Sequence, residues 1–347
     1  MTSERRHDID WLRVIAIALL LIYHIAIIFQ PWATFVGFIK SEESLEALWT
    51  PMTMLNVWRI PLLFYVSGMG LYFAMRKRNW KQLILERTNR ILLPFTFGIV
   101  AIAPLHMLIF QGHYNLPLGY YPHQGHLWFL GNIFAYVILL LPTFYYLKKQ
   151  ENTRLKKVLS AIVSNPIAPL LISVFFVIEV IIVNPSIFVL YAQTWHGFFH
   201  GLLAFFFGFL LVYSGENFWK TILKWRWLYV VVALILYGLR VNSLGTEAPG
   251  YLMAIESNCW IFGIFGFGYR YLNKPSNALS YLSQAVYPIY IIHMFVLYAG
   301  AFLILPLEAS ILLKFTCIVA FTGLVCYLIY EFIIRKLGFL TPLFGMK

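Results

Sequence analysis

The chain has 347 residues, 61% of them hydrophobic and 12% charged, with a net charge of +12 and a mean hydropathy of +0.76. Soluble domains carry about a quarter charged residues, so the composition excludes an ordinary soluble protein and implies a polytopic membrane protein. The positive balance does not argue for nucleic acid, because the basic residues gather in short clusters between apolar runs, where the positive-inside bias puts them.

Apolar runs predict ten spans in chain order, at about 10–30, 54–75, 91–110, 127–147, 166–183, 196–213, 227–240, 250–268, 279–304 and 309–332. The seventh is the shortest and weakest of them. Alternate connections carry the cations: Arg76, Lys77, Arg78, Lys81, Arg87 and Arg90; then Lys148, Lys149, Arg154, Lys156 and Lys157; then Lys220, Lys224 and Arg226; then Arg270 and Lys274. That parity predicts both termini in the cytoplasm and an even number of spans. The expected fold class is therefore an all-α polytopic membrane protein of about ten transmembrane helices, as a single domain over 1–347. No internal repeat or low-complexity tract is evident, and Asp8 and Asp10 abutting the first apolar run argue against a cleavable signal. Cys259, Cys317 and Cys326 all fall within apolar segments, so a disulfide framework is not expected.

The first span, DWLRVIAIALLLIYH, is the most informative stretch. At about 100° per residue, Arg13 and His24 fall within roughly 20° of one another and about 16 Å apart along the axis, with Asp10 within about 40° of His24. A face carrying a carboxylate, a guanidinium and an imidazole must meet protein or a wet cavity, since lipid solvates none of them. In Arg13 alone, snorkelling to the interface is the competing reading. Depth along the second span puts Arg59 toward the outer side, level with His24, as a functional group or a simple anchor. Arg87 and Arg90, in ERTNRILLP, share one face at i,i+3, which suits phosphate oxygens, either of a ligand or of lipid head groups.

Other polar residues divide similarly. His126 and Trp128, in GHLWFL, would line an acceptor site or belong to the interfacial aromatic belt. His293, in IYIIHMF, would contact substrate or tie two helices together. His113, His123 and His126 lie close together, but no acidic or cysteine ligand stands at fixed spacing beside them, so no metal is expected there. His196 and His200 at i,i+4 in WHGFFH favour packing over a metal. Glu179 and Glu256 are intramembrane carboxylates of weaker functional weight, and Ser67 reads as a small residue for close helix contact.

The run RRHDIDWLRVIAIALLLIYH resembles the first span of the integral-membrane acyltransferase 3 family, whose hallmark is an arginine, ten residues and a histidine, here Arg13 and His24 with Asp10 before them. RTNR resembles the family's arginine-x-x-arginine element at Arg87 and Arg90. WRIPLLFYVSG, GHLWFL, IYIIH and YEFIIRKLGFLTPLFG resemble, in the same order, segments of its branch of glucan succinyltransferases. The resemblance spans essentially the whole chain.

It implies a membrane O-acyltransferase that moves a succinyl or acetyl group from cytoplasmic acyl-CoA to a hydroxyl of a carbohydrate such as a periplasmic glucan, in a bacterial inner membrane. His24, Arg13 and Asp10 would be its catalytic residues. Arg87, Arg90 and Arg13 would hold the acyl-CoA, and Arg59, His126, Trp128 and His293 the acceptor or acyl group. No permanently bound cofactor and no metal are implied, and the partners are acyl-CoA, the carbohydrate acceptor and membrane lipid. His24 would serve as general base or as nucleophile through an acyl-histidine. The competing class is a transporter of an anionic or glycosidic substrate using the same buried residues, although inverted halves and paired broken spans are not evident.

Overall fold

A computed structural model describes residues 6–151, 153–244 and 248–346. Among these the regular elements are all helical, and no strand occurs. They are α1 (His7–Ile28), α2 (Trp49–Arg76), α3 (Trp80–His113), α4 (Trp128–Lys149), α5 (Arg154–Ile162), α6 (Ile167–Val183), α7 (Trp195–Tyr213), α8 (Glu216–Leu239), α9 (Gly250–Tyr271), α10 (Asn277–Ile304) and α11 (Ile311–Ile329). Two π-helical stretches, Thr88–Leu92 and Gly98–Ile102, interrupt α3.

Among the described residues eight helices are long and apolar enough to cross a membrane, or nine if the α5–α6 pair, bent by 96°, is one span. This is fewer than the ten expected, and two elements explain the difference. α6 has 17 residues and reaches spanning length only with α5. α9 has 22 residues, but Glu256, Ser257 and Asn258 interrupt its apolar run. Those three are at most 1% exposed, so α9 turns its polar groups to protein and not to lipid. The weakest expected span, by contrast, lies within a stretch that meets the test over Glu216–Asn242.

The chain divides into two compact units. The first comprises residues up to Ala16, Met54–Leu85 and Asn132–Leu279; the second comprises Ile17–Thr53, Glu86–Gly131 and everything from Ser280 on. α1 contributes to both, dividing after Ala16.

Within the first unit, α2 and α7 approach at two glycines. A Cβ on Gly68 would strike the Phe205 carbonyl, and one on Gly208 would strike the Tyr65 carbonyl. Helices in membranes gain little from the hydrophobic effect and associate by such close backbone packing. Ser67, next to Gly68, donates its hydroxyl to the Leu63 carbonyl at 2.7 Å, one turn back on its own helix. Pro61 lies inside α2, where it cannot donate to the carbonyl four residues earlier. That carbonyl belongs to Val57, and the buried Tyr191 hydroxyl donates to it at 3.1 Å. The first unit also encloses an ion pair, in which Arg240 Nε and Nη2 meet the two Glu256 oxygens at 2.8 Å each.

The second unit is built on an apolar cluster of Ile25, Ile28, Phe29, Phe38, Ile39, Leu297 and Tyr298 with their neighbours. The Tyr298 hydroxyl donates to the Gly37 carbonyl at 2.6 Å and so fastens the segment after α1 to α10.

Candidate active site

The second unit gathers five histidines: His24 of α1, His106 of α3, His123 of the following loop, His126 of the turn that leads into α4, and His293 of α10. His293 is fully buried and His106 is 2% exposed, while His24 and His126 are half-buried. The His24 and His293 rings lie parallel, with centroids 5.2 Å apart and planes within 3°, and His24 Nδ1 lies 2.9 Å from His293 Nε2. His293 Nδ1 lies 2.6 Å from the Tyr290 carbonyl oxygen.

These contacts fix the proton positions when both imidazoles are neutral. A carbonyl only accepts, so His293 must carry its proton on Nδ1 and present a lone pair at Nε2. His24 must then donate from Nδ1 to that lone pair, which leaves the His24 Nε2 lone pair as the basic atom. The order Tyr290 carbonyl, His293, His24 orients the His24 imidazole through one ring nitrogen without a carboxylate.

His126 follows the same logic from the other side. Its Nε2 lies 3.1 and 3.2 Å from the Tyr290 and Ile291 carbonyls, so Nε2–H donates to α10. In return the Tyr290 hydroxyl donates to the His126 carbonyl. This reciprocal latch sets the His126 ring edge-on to His293, at 4.8 Å between centroids. His126 Nδ1 is then a buried acceptor with no partner among the described residues. Trp128 is 7% exposed, so it lies within protein and not in a lipid-facing aromatic belt.

His106 was missed by sequence reasoning. Its ring lies 5.1 Å from His123, 6.2 Å from His126 and 5.0 Å from Tyr298. The signal was present, since APLHMLIF sets a lone imidazole in an apolar run as IYH does at His24. Partial burial pushes the His123 imidazole below its ordinary range. His113 stands apart from this group, against Tyr114 and Phe302.

Arg87 and Arg90 are brought together by a carboxylate that the spacing argument left out. Arg87 Nε lies 3.0 Å from one Glu86 oxygen and Arg90 Nη1 lies 3.2 Å from the other. Arg90 opens the site to solvent, with its side chain 47% exposed against 18% for Arg87. Gly345 adopts φ +66° in the C-terminal turn, where an added Cβ would meet the Tyr287 ring at 2.6 Å and the Arg90 carbonyl at 2.8 Å. The Tyr287 hydroxyl is buried there without a hydrogen-bond partner among the described residues.

Arg13, Asp10 and Arg59 belong to the first unit. Arg13 Nη1 lies 3.5 Å from Asp10 Oδ1, the i,i+3 pairing expected, and the guanidinium lies beside Gly70 of α2. Arg59 is 2% exposed, too deep for a snorkelling anchor at the head groups.

Comparison with known proteins adds the family. No curated protein and no solved structure matches the chain. The acyltransferase 3 family model, described as an acyltransferase domain, matches residues 6–331 and so runs from the start of α1 through α11. With that match and its apolar helices, the chain belongs to the acyltransferase 3 family of membrane acyltransferases.

Proposed function

We propose that this acyltransferase moves a short acyl group, succinyl or acetyl, from acyl-CoA to a hydroxyl of a carbohydrate, a periplasmic glucan being the acceptor suggested by sequence resemblance. The observation that carries the reading is the relay from the Tyr290 carbonyl through His293 to His24, which leaves His24 Nε2 as a lone pair on a half-buried imidazole. A neutral imidazole is what a general base needs.

In the proposed reaction His24 Nε2 takes the proton of the acceptor hydroxyl as its oxygen attacks the thioester carbonyl. The tetrahedral intermediate collapses with cleavage of the carbon–sulfur bond, and the imidazolium returns its proton to the departing CoA sulfur. His293 accepts the His24 Nδ1–H throughout and steadies the imidazolium. His126 Nδ1, without a partner among the described residues and close to His293, is available to the acceptor hydroxyls, with Trp128 two residues on.

Arg87 and Arg90 suit the phosphates of the donor, with Glu86 holding them in register until the anion arrives. Tyr287 adds a buried hydroxyl next to the Arg90 backbone. Arg13, steadied by Asp10, precedes His24 by about 16 Å on the same helix, comparable to an extended pantetheine arm. The alternation of basic loops supports a cytoplasmic donor side, cytoplasmic termini and residence in a bacterial inner membrane.

The experiment is thiol release from acetyl-CoA and succinyl-CoA by the purified protein in nanodiscs, supplied with a glucan acceptor. His24→Ala should lose turnover by about 10²–10⁴-fold, the usual contribution of a positioned general base. Unchanged turnover in a folded His24→Ala protein would overturn the mechanism. Arg87→Ala with Arg90→Ala should instead raise the donor KM by about tenfold or more and leave kcat within a few-fold, because charge-assisted phosphate contacts serve binding.

A further inference from the structure

The first unit holds a second cluster of histidines that the acyl-transfer reading does not use. Glu179 lies near the end of α6, and His196 and His200 lie one turn apart at the start of α7. The connecting loop brings them together: Asn184 caps α6 in the left-handed region at φ 49°, and the Thr194 side chain caps α7 by accepting from the Gly197 N–H at 2.9 Å. His196 Nδ1 and His200 Nδ1 each lie 2.9 Å from a different oxygen of the Glu179 carboxylate. One ligand atom from each of the three residues lies within 4.8 Å of the others.

The surroundings are closed and apolar. His196 and His200 are each 1% exposed and Glu179 is 6% exposed. Phe188, Tyr191 and Phe176 pack on the rings. Tyr191 offers no hydroxyl to the cluster, since it donates to the Val57 carbonyl. Nε2 of His196 and Nε2 of His200 are both buried with no partner among the described residues.

Hydrogen bonding within the trio therefore does not satisfy it. If both Nδ1–H groups donate to Glu179, each ring keeps a buried lone pair at Nε2 that no donor among the described residues reaches. A divalent cation held between the two Nδ1 atoms and the carboxylate would replace those hydrogen bonds with ligand bonds, and the one carboxylate offsets half of its charge. Two atoms each about 2.1 Å from a common ion at 90–110° stand roughly 3.0–3.4 Å apart, close to the nitrogen–oxygen separations observed.

We propose that Glu179, His196 and His200 form a binding site for one divalent transition-metal ion, with the two imidazoles as ligands and the Glu179 carboxylate as the compensating anion. Two imidazoles with one carboxylate suit zinc and its first-row neighbours, whereas magnesium and calcium prefer oxygen donors. The ion clasps the end of α6 to the start of α7 across the 184–194 loop. The proposal stands independently of the acyl-transfer reading, because it uses none of the same residues.

The test uses the full chain in nanodiscs, purified through a tag without histidine, stripped with a chelator, equilibrated with micromolar zinc chloride and freed of unbound ion. Elemental analysis should find about one zinc per chain in the wild type and at least tenfold less in His196→Ala, His200→Ala. Zinc should raise the wild-type Tm by several degrees where magnesium does not, and should leave the variant unmoved. If that variant does not fold, cobalt(II) on the wild type should give the visible d–d bands of a nitrogen- and oxygen-ligated ion, weakened in His200→Asn. Less than about a tenth of a zinc per chain in the wild type, equal zinc in the folded double variant, or cobalt spectra identical in wild type and His200→Asn would each overturn the proposal.

Discussion

At the scale of single residues, the proposed acyl-transfer site turns on which nitrogen of an imidazole carries the proton. His24 gains its orientation from His293, and His293 gains its own from a backbone carbonyl of the same helix, so the chain of dependence ends in α10. His293→Ala should therefore leave the donor KM nearly unchanged and lower kcat about tenfold to a hundredfold, as removal of an orienting partner does elsewhere. Steady-state kinetics against donor concentration check this, and a proportionate rise in KM would return His293 to substrate binding. Arg59 presents a different residue-scale lesson. Its place in an apolar sequence suggested a group near the head-group level, but packing encloses it almost completely, and depth along one helix could not reveal that.

At the scale of elements, the polar groups of the first unit explain why α9 is a buried helix and not a lipid-facing one. Arg240, just past the end of α8, and Glu256 of α9 form a two-pronged ion pair at 2.8 Å per contact, and the Tyr65 hydroxyl donates to Asn258 at 2.7 Å. Removing one member of such a pair strands the other charge away from water. Arg240→Ala should destabilise the protein by about 3–5 kcal/mol, whereas Arg240→Met with Glu256→Leu should cost markedly less. Thermal unfolding of the three proteins in the same nanodiscs measures the difference, and a double variant as unstable as Arg240→Ala would show that the pair contributes more than charge balance. Hydropathy alone predicted α9 as a span, because it counts Glu256, Ser257 and Asn258 as diluted by the aromatics around them.

At the scale of the whole molecule, the alternation of basic loops makes a prediction that no single helix carries. With cytoplasmic termini, the segment between α3 and α4 faces outward and the segment between α4 and α5 faces the cytoplasm. In a background lacking the native cysteines, Asn115→Cys should react with a membrane-impermeant maleimide in intact cells, and Thr153→Cys only after permeabilisation. The reverse pattern would invert the donor and acceptor sides. Much of the protein is determined by sequence alone: the all-helical class follows from apolar run lengths, because lipid requires every backbone group to be satisfied within the helix. The placement of Arg13 and His24 on one helix also follows from it, because helical periodicity is local. Only the tertiary structure decided that His293, His126 and His106 gather with His24, and that Glu179 meets two histidines at the head of α7. Each of those is a contact between side chains whose separation depends on how helices pack, and apolar periodicity says which face is buried without saying against what.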